Sequence, residues 1–348
     1  MTEILLFILL MSVFVPIYTY VIYPILLKIF PEKIYKKEIY EPTVSIIMWE
    51  KCSEEKIRNL WEQDYPGEKI EILTKGCLRG QIQGECEKVN AMISVAQGEV
   101  ILFTDGGSIL ERHAVKRLMS NFADSRIGIV CGRVCKENGE KSAYWKYENW
   151  VKRQESKIGR LSGANQSLFA VRKEAIKEIP EGVINTNFFL STAALRSGWD
   201  SVLEENATAY ECFDDGEDRA FKRHVIEGAG YYQALSIFRR MLFPCRGSFT
   251  YISHRVLKWL TPWNMIAVFI SSALLADNFI WTGLLFAGQI IIYMFLGLYI
   301  VSTKKHKKRV TGIVGRLMSL LFYFVALNIS YVVGFYMLWF KKGIGRYD

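Results

Sequence analysis

Apolar positions along the chain follow two different patterns. Residues 4–27, 279–301 and 314–340 are long apolar runs almost free of charge, the last interrupted by Asn328 and Ser330, and 263–276 is a shorter one that ends at Asp277. A hydrocarbon core of about 30 Å needs roughly 20 such residues as a helix. Residues 43–206 instead alternate short β-branched runs with amphipathic stretches. VSIIM (44–48), EILT (71–74), EVILFTD (99–105), IGIVCGRV (127–134) and SLFAV (167–171) predict strands. Residues 54–63, 86–97, 112–122 and 144–156 predict helices. Such alternation implies an α/β domain whose mostly parallel, doubly wound sheet is covered on both faces. The expected organisation is an anchor at 1–30, a globular domain at 31–245, an amphipathic segment at 246–262 and membrane helices at 263–348.

The first apolar run has no basic leader and no small-residue cleavage site, so a retained anchor is expected rather than a cleaved signal. Lys28, Lys33, Lys36 and Lys37 follow it, which places the globular domain on the cytoplasmic side. KKHKKR (304–309) then falls inside, but a fourth full span would put Lys341, Lys342 and Arg346 outside, against the charge rule. The alternatives are a broken rule or a re-entrant hairpin within 314–340. Residues 246–262 mix Arg255, Lys258 and His254 with Phe249 and Trp259. That composition suits a helix in the headgroup layer, or an ordinary amphipathic core helix.

Composition narrows the classes. Apolar residues make up 51% and aromatics 14% of 348 residues, which excludes a disordered chain. Seven cysteines, sparse and odd in number, exclude a disulfide scaffold and predict free thiols. Cys131 and Cys135 lack further ligands at zinc spacing. The net charge of +9 gathers near the membrane segments and predicts contact with anionic lipid. No basic helix with interleaved stacking aromatics points to nucleic acid.

Ligands of open α/β sheets bind beyond the carboxyl ends of the strands. There the strand at 99–105 ends in Asp105-Gly106-Gly107, which taken alone is more often just a turn.

Several stretches together resemble the membrane-integrated family-2 glycosyltransferases, which have a GT-A domain. EPTVSIIM with QDYP (63–66), GECEKVNAMISVAQGEVILFTDGG (84–107), YWKYENWVKRQES (144–156), LFAVRKEAI (168–176), RAFKRHVIEGAGYYQAL (219–235) and ISHRVLKWLTP (252–262) carry the resemblance. It implies transfer of a sugar from a nucleotide-diphosphate donor to a glycan. That chemistry needs carboxylates and a divalent metal for the diphosphate, and a carboxylate base for the acceptor.

The positions that the resemblance assigns to this chemistry are altered. Cys52-Ser53 replace an Asn-Glu pair, and Lys75 and Arg79 stand where nucleoside-binding aspartates are expected. Glu85 replaces a diphosphate-facing Lys. Asp105 keeps the acidic turn, but its third position is Gly107. Gln166 replaces a Gly in the acceptor-side loop. Thr186-Asn187 replace the acidic pair that holds the base, and Arg223 is what remains of an Arg pair. Gln233 matches the family's Gln on the same helix. Reversing one charge about 4 Å from a diphosphate, at an effective dielectric near 20, shifts an interaction of about 4 kcal/mol to the opposite sign. After screening, a residual of about 3 kcal/mol still costs roughly 100-fold in affinity. Loss of the base costs a further ~10²–10⁴ in rate. Glu211 is the candidate substitute acid.

The resulting expectation is a glycosyltransferase-like membrane protein without transferase activity, which supports a partner synthase in making and exporting a bacterial polysaccharide. The alternative is an active enzyme with relocated groups, using Mg²⁺ or Mn²⁺ with a nucleotide-sugar; otherwise no cofactor is expected. The expected surroundings are the bacterial cell membrane, its lipid, a synthase subunit and glycan. Span 314–340, with its Gly and Ser positions, and the helix at 144–156 are candidate partner surfaces.

Overall fold

The computed structural model describes the chain except residues 49–51, 78–83, 137–142, 212–216, 307–311 and 341–348. It begins with α1 (Thr2–Leu27), a long apolar helix that loosens into a π-helical turn at Tyr18–Ile22, between Pro16 and Pro24. The globular domain then runs β1 (Val44–Met48), α2 (Glu54–Trp61), β2 (Ile70–Thr74), α3 (Glu85–Val95), β3 (Val100–Phe103), β4 (Ser108–Leu110), α4 (Ala114–Met119) and β5 (Ile127–Lys136). It continues with α5 (Ala143–Lys157), β6 (Phe169–Arg172), α6 (Thr186–Arg196), β7 (Asp200–Glu211) and α7 (Glu217–Ile237). A helical segment at 248–259 (α8) precedes α9 (Thr261–Leu274), α10 (Ile280–His306) and α11 (Gly312–Phe340).

The seven strands form one sheet in the order β2-β1-β3-β6-β5-β7-β4. The ladders of β1 with β2, β1 with β3, and β5 with β7 are parallel. β6 and β4 pair antiparallel. Every residue of β1 and β3 is buried, as expected for strands covered on both faces, and that is why these runs are continuously apolar rather than alternating. One core packs α3, α6 and α7 on one face and a second packs α2 and α4 on the other. The strands and helices expected from the sequence are all present. β4 was not expected, being only three residues long, and the helix expected at 112–122 is shorter, giving way to a 3₁₀ turn at Ser120–Ala123.

Among the described residues, three helices are long and apolar enough to cross a membrane: Thr2–Leu27, Ile280–Leu298 and Leu320–Phe340. Thr261–Leu274 is apolar but shorter. α11 is one unbroken helix, so the re-entrant hairpin within 314–340 is excluded. Its small residues are engaged within the chain: Gly334 abuts the backbone of Val225 and Ala229 on α7.

α8 has the composition of a headgroup-layer helix but is a core helix. Tyr251, His254, Arg255, Lys258 and Trp259 are all buried. Its charges turn inward because α1 and α5 present carboxylates and hydroxyls to them.

Candidate functional site

The Asp105 turn leaves β3 at the carboxyl end of the sheet. Asp105 is partly exposed, and its Oδ1 accepts the Gly107 N–H at 3.1 Å. Beneath the turn lies a residue that sequence reasoning missed. Lys56, fully buried, donates from Nζ to the Ser108 carbonyl at 2.6 Å and to Thr104 Oγ1 at 2.9 Å. Both groups flank the turn, so a buried ammonium braces it from behind. The signal for it was a Lys on the inward face of the amphipathic helix α2.

Glu211 comes to the same place. The β4–β7 ladder sets Ser108 opposite Glu211, and Glu211 Oε1 lies 3.4 Å from the Ser167 hydroxyl, which donates to it. The structure therefore brings Asp105 and Glu211 to neighbouring positions, with Thr104 Oγ1 donating to the Ser167 carbonyl at 2.9 Å between them.

The loop at 161–167 joins this turn to the start of α6, where the sequence resemblance places Thr186 and Asn187. The backbone of Ala164 is held on both sides by α6: its N–H donates to Ser191 Oγ at 3.1 Å, and its carbonyl accepts from Asn187 Nδ2 at 3.2 Å. Gly163, at φ 78°, passes beneath the ring of Phe188. A Cβ there would lie 2.9 Å from that ring and 3.1 Å from Arg255 Nη2. Thr186, in the first turn of α6, is buried beside the Cys86 thiol. Burial pushes that thiol up, and its S–H donates to the Val183 carbonyl.

The other sequence-predicted residues serve local structure or lie apart. Glu85 opens α3, where an acid suits the helix dipole. Gln166 is exposed in the 161–167 loop. Gln233 clamps the loop before α6, accepting from Ile184 N at 2.9 Å and donating to Gly182 O at 2.7 Å, which is a packing contact. Arg223 is exposed on α7. The side chain of Lys75 and the whole of Arg79 lie outside the described residues.

On its other side the loop meets a buried charge network. Glu155, fully buried, accepts from Tyr23 OH at 2.6 Å, from Ser162 N at 3.0 Å and from His254 Nδ1 at 2.8 Å. Glu148 pairs with Lys258 at 2.5 Å and faces His254 Nε2 at 3.4 Å. Arg255 Nε donates to the Ser162 carbonyl at 2.9 Å, and Lys152 donates to Asn165 Oδ1. Burial alone would raise the carboxyls, but Lys258 and His254 hold Glu148 well below the usual range, and His254 lowers Glu155. Burial, with Arg255 nearby, pushes Lys152 down to about 8.

A divalent ion needs several oxygen ligands converging on one point. Asp105 Oδ1 bonds within its own turn, and no group of three or more Asp, Glu, His or Cys converges among the described residues. The described residues do not make a resident metal site.

Residues 25–150 match the family model of a chitin synthase-like glycosyltransferase domain. The mannosyltransferase PcManGT from Pyrobaculum calidifontis, solved with GDP-Man and Mn²⁺, is similar over 96% of this chain and 100% of that one, with TM-score 0.70 and 17% identity. The chain has a glycosyltransferase-like fold of the GT-A type. GalNAc-T7, solved with UDP, GalNAc and Mn²⁺, is a more distant likeness: TM-score 0.40 and 9% identity over 64% of this chain and 58% of that one. No curated protein sequence matches the chain.

Proposed function

We propose that this protein is a glycosyltransferase-like membrane subunit that does not itself transfer sugar. It supports an active synthase in assembling and exporting a polysaccharide at the bacterial cell membrane, with the globular domain on the cytoplasmic side. The observation that carries the reading is the bond from Asn187 Nδ2 to the Ala164 carbonyl. It needs a donor, which an ionised carboxylate cannot supply. The position of the expected base is thus used to fasten the acceptor-side loop, and its neighbour Thr186 is buried. Neither side chain accepts a proton near neutral pH.

The test is purified protein with a panel of nucleotide-sugars and Mn²⁺ or Mg²⁺. The expected result is no turnover and no micromolar binding by calorimetry, together with copurification of a synthase chain from its native membrane. Turnover would overturn the reading. A second reading, an active transferase with relocated groups, is favoured by the placement of Glu211 beside the Asp105 turn. It requires Glu211→Gln and Asp105→Asn to abolish glycan production in cells.

A further inference from the structure

α11 has the length of a membrane span but is placed differently. Tyr323, Leu327, Tyr331, Phe335 and Leu338, three or four residues apart, form one stripe packed on the core of the globular domain. At 1.5 Å per residue that stripe is about 22 Å long. Its main counterpart is α7. The ring of Tyr323 lies 6.1 Å from His224, Tyr331 lies 5.9 Å from Tyr231, and Phe335 lies 5.1 Å from Tyr232. A Cβ on Gly334 would come within 2.5 Å of the Val225 carbonyl oxygen. The first half of α7 carries Arg219, Lys222, Arg223, His224 and Glu227, a set that does not enter hydrocarbon unpaired.

Two aromatic contacts set the depth of α11. Phe324 meets Tyr20 at 5.9 Å, and Phe335 meets Trp263 at 5.0 Å. Tyr20 lies where α1 already touches α5, its carbonyl accepting from Tyr147 OH at 2.9 Å. Trp263 opens α9 directly after the core helix α8 and donates to Tyr232 OH at 2.9 Å. Both residues mark the membrane-proximal end of the globular domain. Two points of α11 about 16 Å apart along its axis therefore share one depth. The remaining turns, residues 312–322, reach about 16 Å, too short for a core of about 30 Å.

We propose that α11 lies in the plane of the membrane on the globular-domain side, with its outer face in the headgroup–acyl boundary of the lipid. That face carries Ile329, Tyr336, Trp339 and Phe340, which are 51%, 56%, 69% and 70% exposed, and Trp and Tyr with apolar neighbours are suited to that layer. α1 is then a crossing helix, and the shorter α9 with α10 forms an apolar hairpin that leaves and returns to the globular-domain side. The sequence bias agrees, since Lys341, Lys342 and Arg346 follow α11. This inference is independent of whether the protein transfers sugar.

The test uses the full chain in phospholipid nanodiscs, with accessible native thiols replaced by serine and a spin label at Ile329→Cys or Trp339→Cys. Both positions are exposed, so neither label disturbs packing. Oxygen against nickel-chelate relaxation gives the depth of each. Equal shallow depths, within a few ångströms, are expected. Depths differing by the roughly 15 Å that separate these residues along an upright helix would overturn the proposal. So would shielding from both reagents, which would mean that protein covers the face. Independently, a reporter fused after Asp348 should lie on the same side as the exposed Cys77 of the globular domain; the opposite side refutes the in-plane placement of α11.

Discussion

Replacing Lys258 with Met tests the buried network that joins membrane and globular parts. Lys258 and Glu148 are 5% and 9% exposed, with Nζ 2.5 Å from Oε1. At an effective dielectric near 20 that separation gives about 7 kcal/mol of attraction. Taking both ions out of water costs several kcal/mol each, so the intact pair is close to neutral for stability, whereas a lone buried charge costs about 3–5 kcal/mol. His254, 3.4 Å from the same carboxylate, compensates in part, so Lys258→Met should lose about 3 kcal/mol. Thermal unfolding followed by Trp fluorescence should fall by roughly 6 °C, at about 2 °C per kcal/mol. The double variant Lys258→Met, Glu148→Leu should recover most of the loss, a coupling that a double-mutant cycle reads directly. The deficit should also depend on pH. In the wild type Glu148 is depressed, so its contribution is present above about pH 4.3 and is lost as pH falls through its folded value. Without the ammonium the buried carboxyl rises above its unfolded value, so the variant's deficit shrinks on acidification. A single variant within about 0.5 kcal/mol of wild type at pH 7, or a cycle showing simple additivity, would refute the idea that α8 is held by this pair.

Asn187→Asp should cost about 1–3 kcal/mol, because a carboxylate would face the Ala164 carbonyl; it should leave the protein without turnover, and activity appearing in this variant would show that the cleft is otherwise intact. Lys152 sits near 8 in the fold and near 10.4 unfolded. Between those values the unfolded chain holds more protons, so stability relative to Lys152→Met should rise with pH by up to about 3 kcal/mol; a flat difference in that window counts against the buried ammonium. Maleimide with mass spectrometry should modify the exposed Cys77 and Cys245 and spare Cys131, whose thiol burial pushes up to about 11; early labelling of Cys131 would contradict its place in the core.

Much of the fold was legible in the sequence because strand and helix periods are local. The strands at 44–48 and 127–134 read correctly since both faces of a sheet covered by helices demand continuous apolar runs. The acidic turn at Asp105 was legible for the same reason, as the end of such a run. Pairings were not. The proximity of Glu211 to that turn depends on β4, three residues whose pattern carries no period. The role of Lys56 depends on Thr104 and Ser108 being brought over α2.

The two amphipathic membrane-side segments separate local from tertiary information most sharply. Sequence alone determined that 246–262 and 314–340 are helical and apolar on at least one face, since propensity and period are properties of neighbours along the chain. Which surface each face meets was decided only in three dimensions. Residues 248–259 are internal because Glu148 and Glu155 arrive from α5 to pair with Lys258 and His254, and Tyr23 of α1 donates to Glu155. α11 is drawn along α7 because Gly334 lets the two backbones touch. Burial of a charge or of a small residue is favourable only beside a particular partner, and that partner lies a hundred or more residues away in the chain.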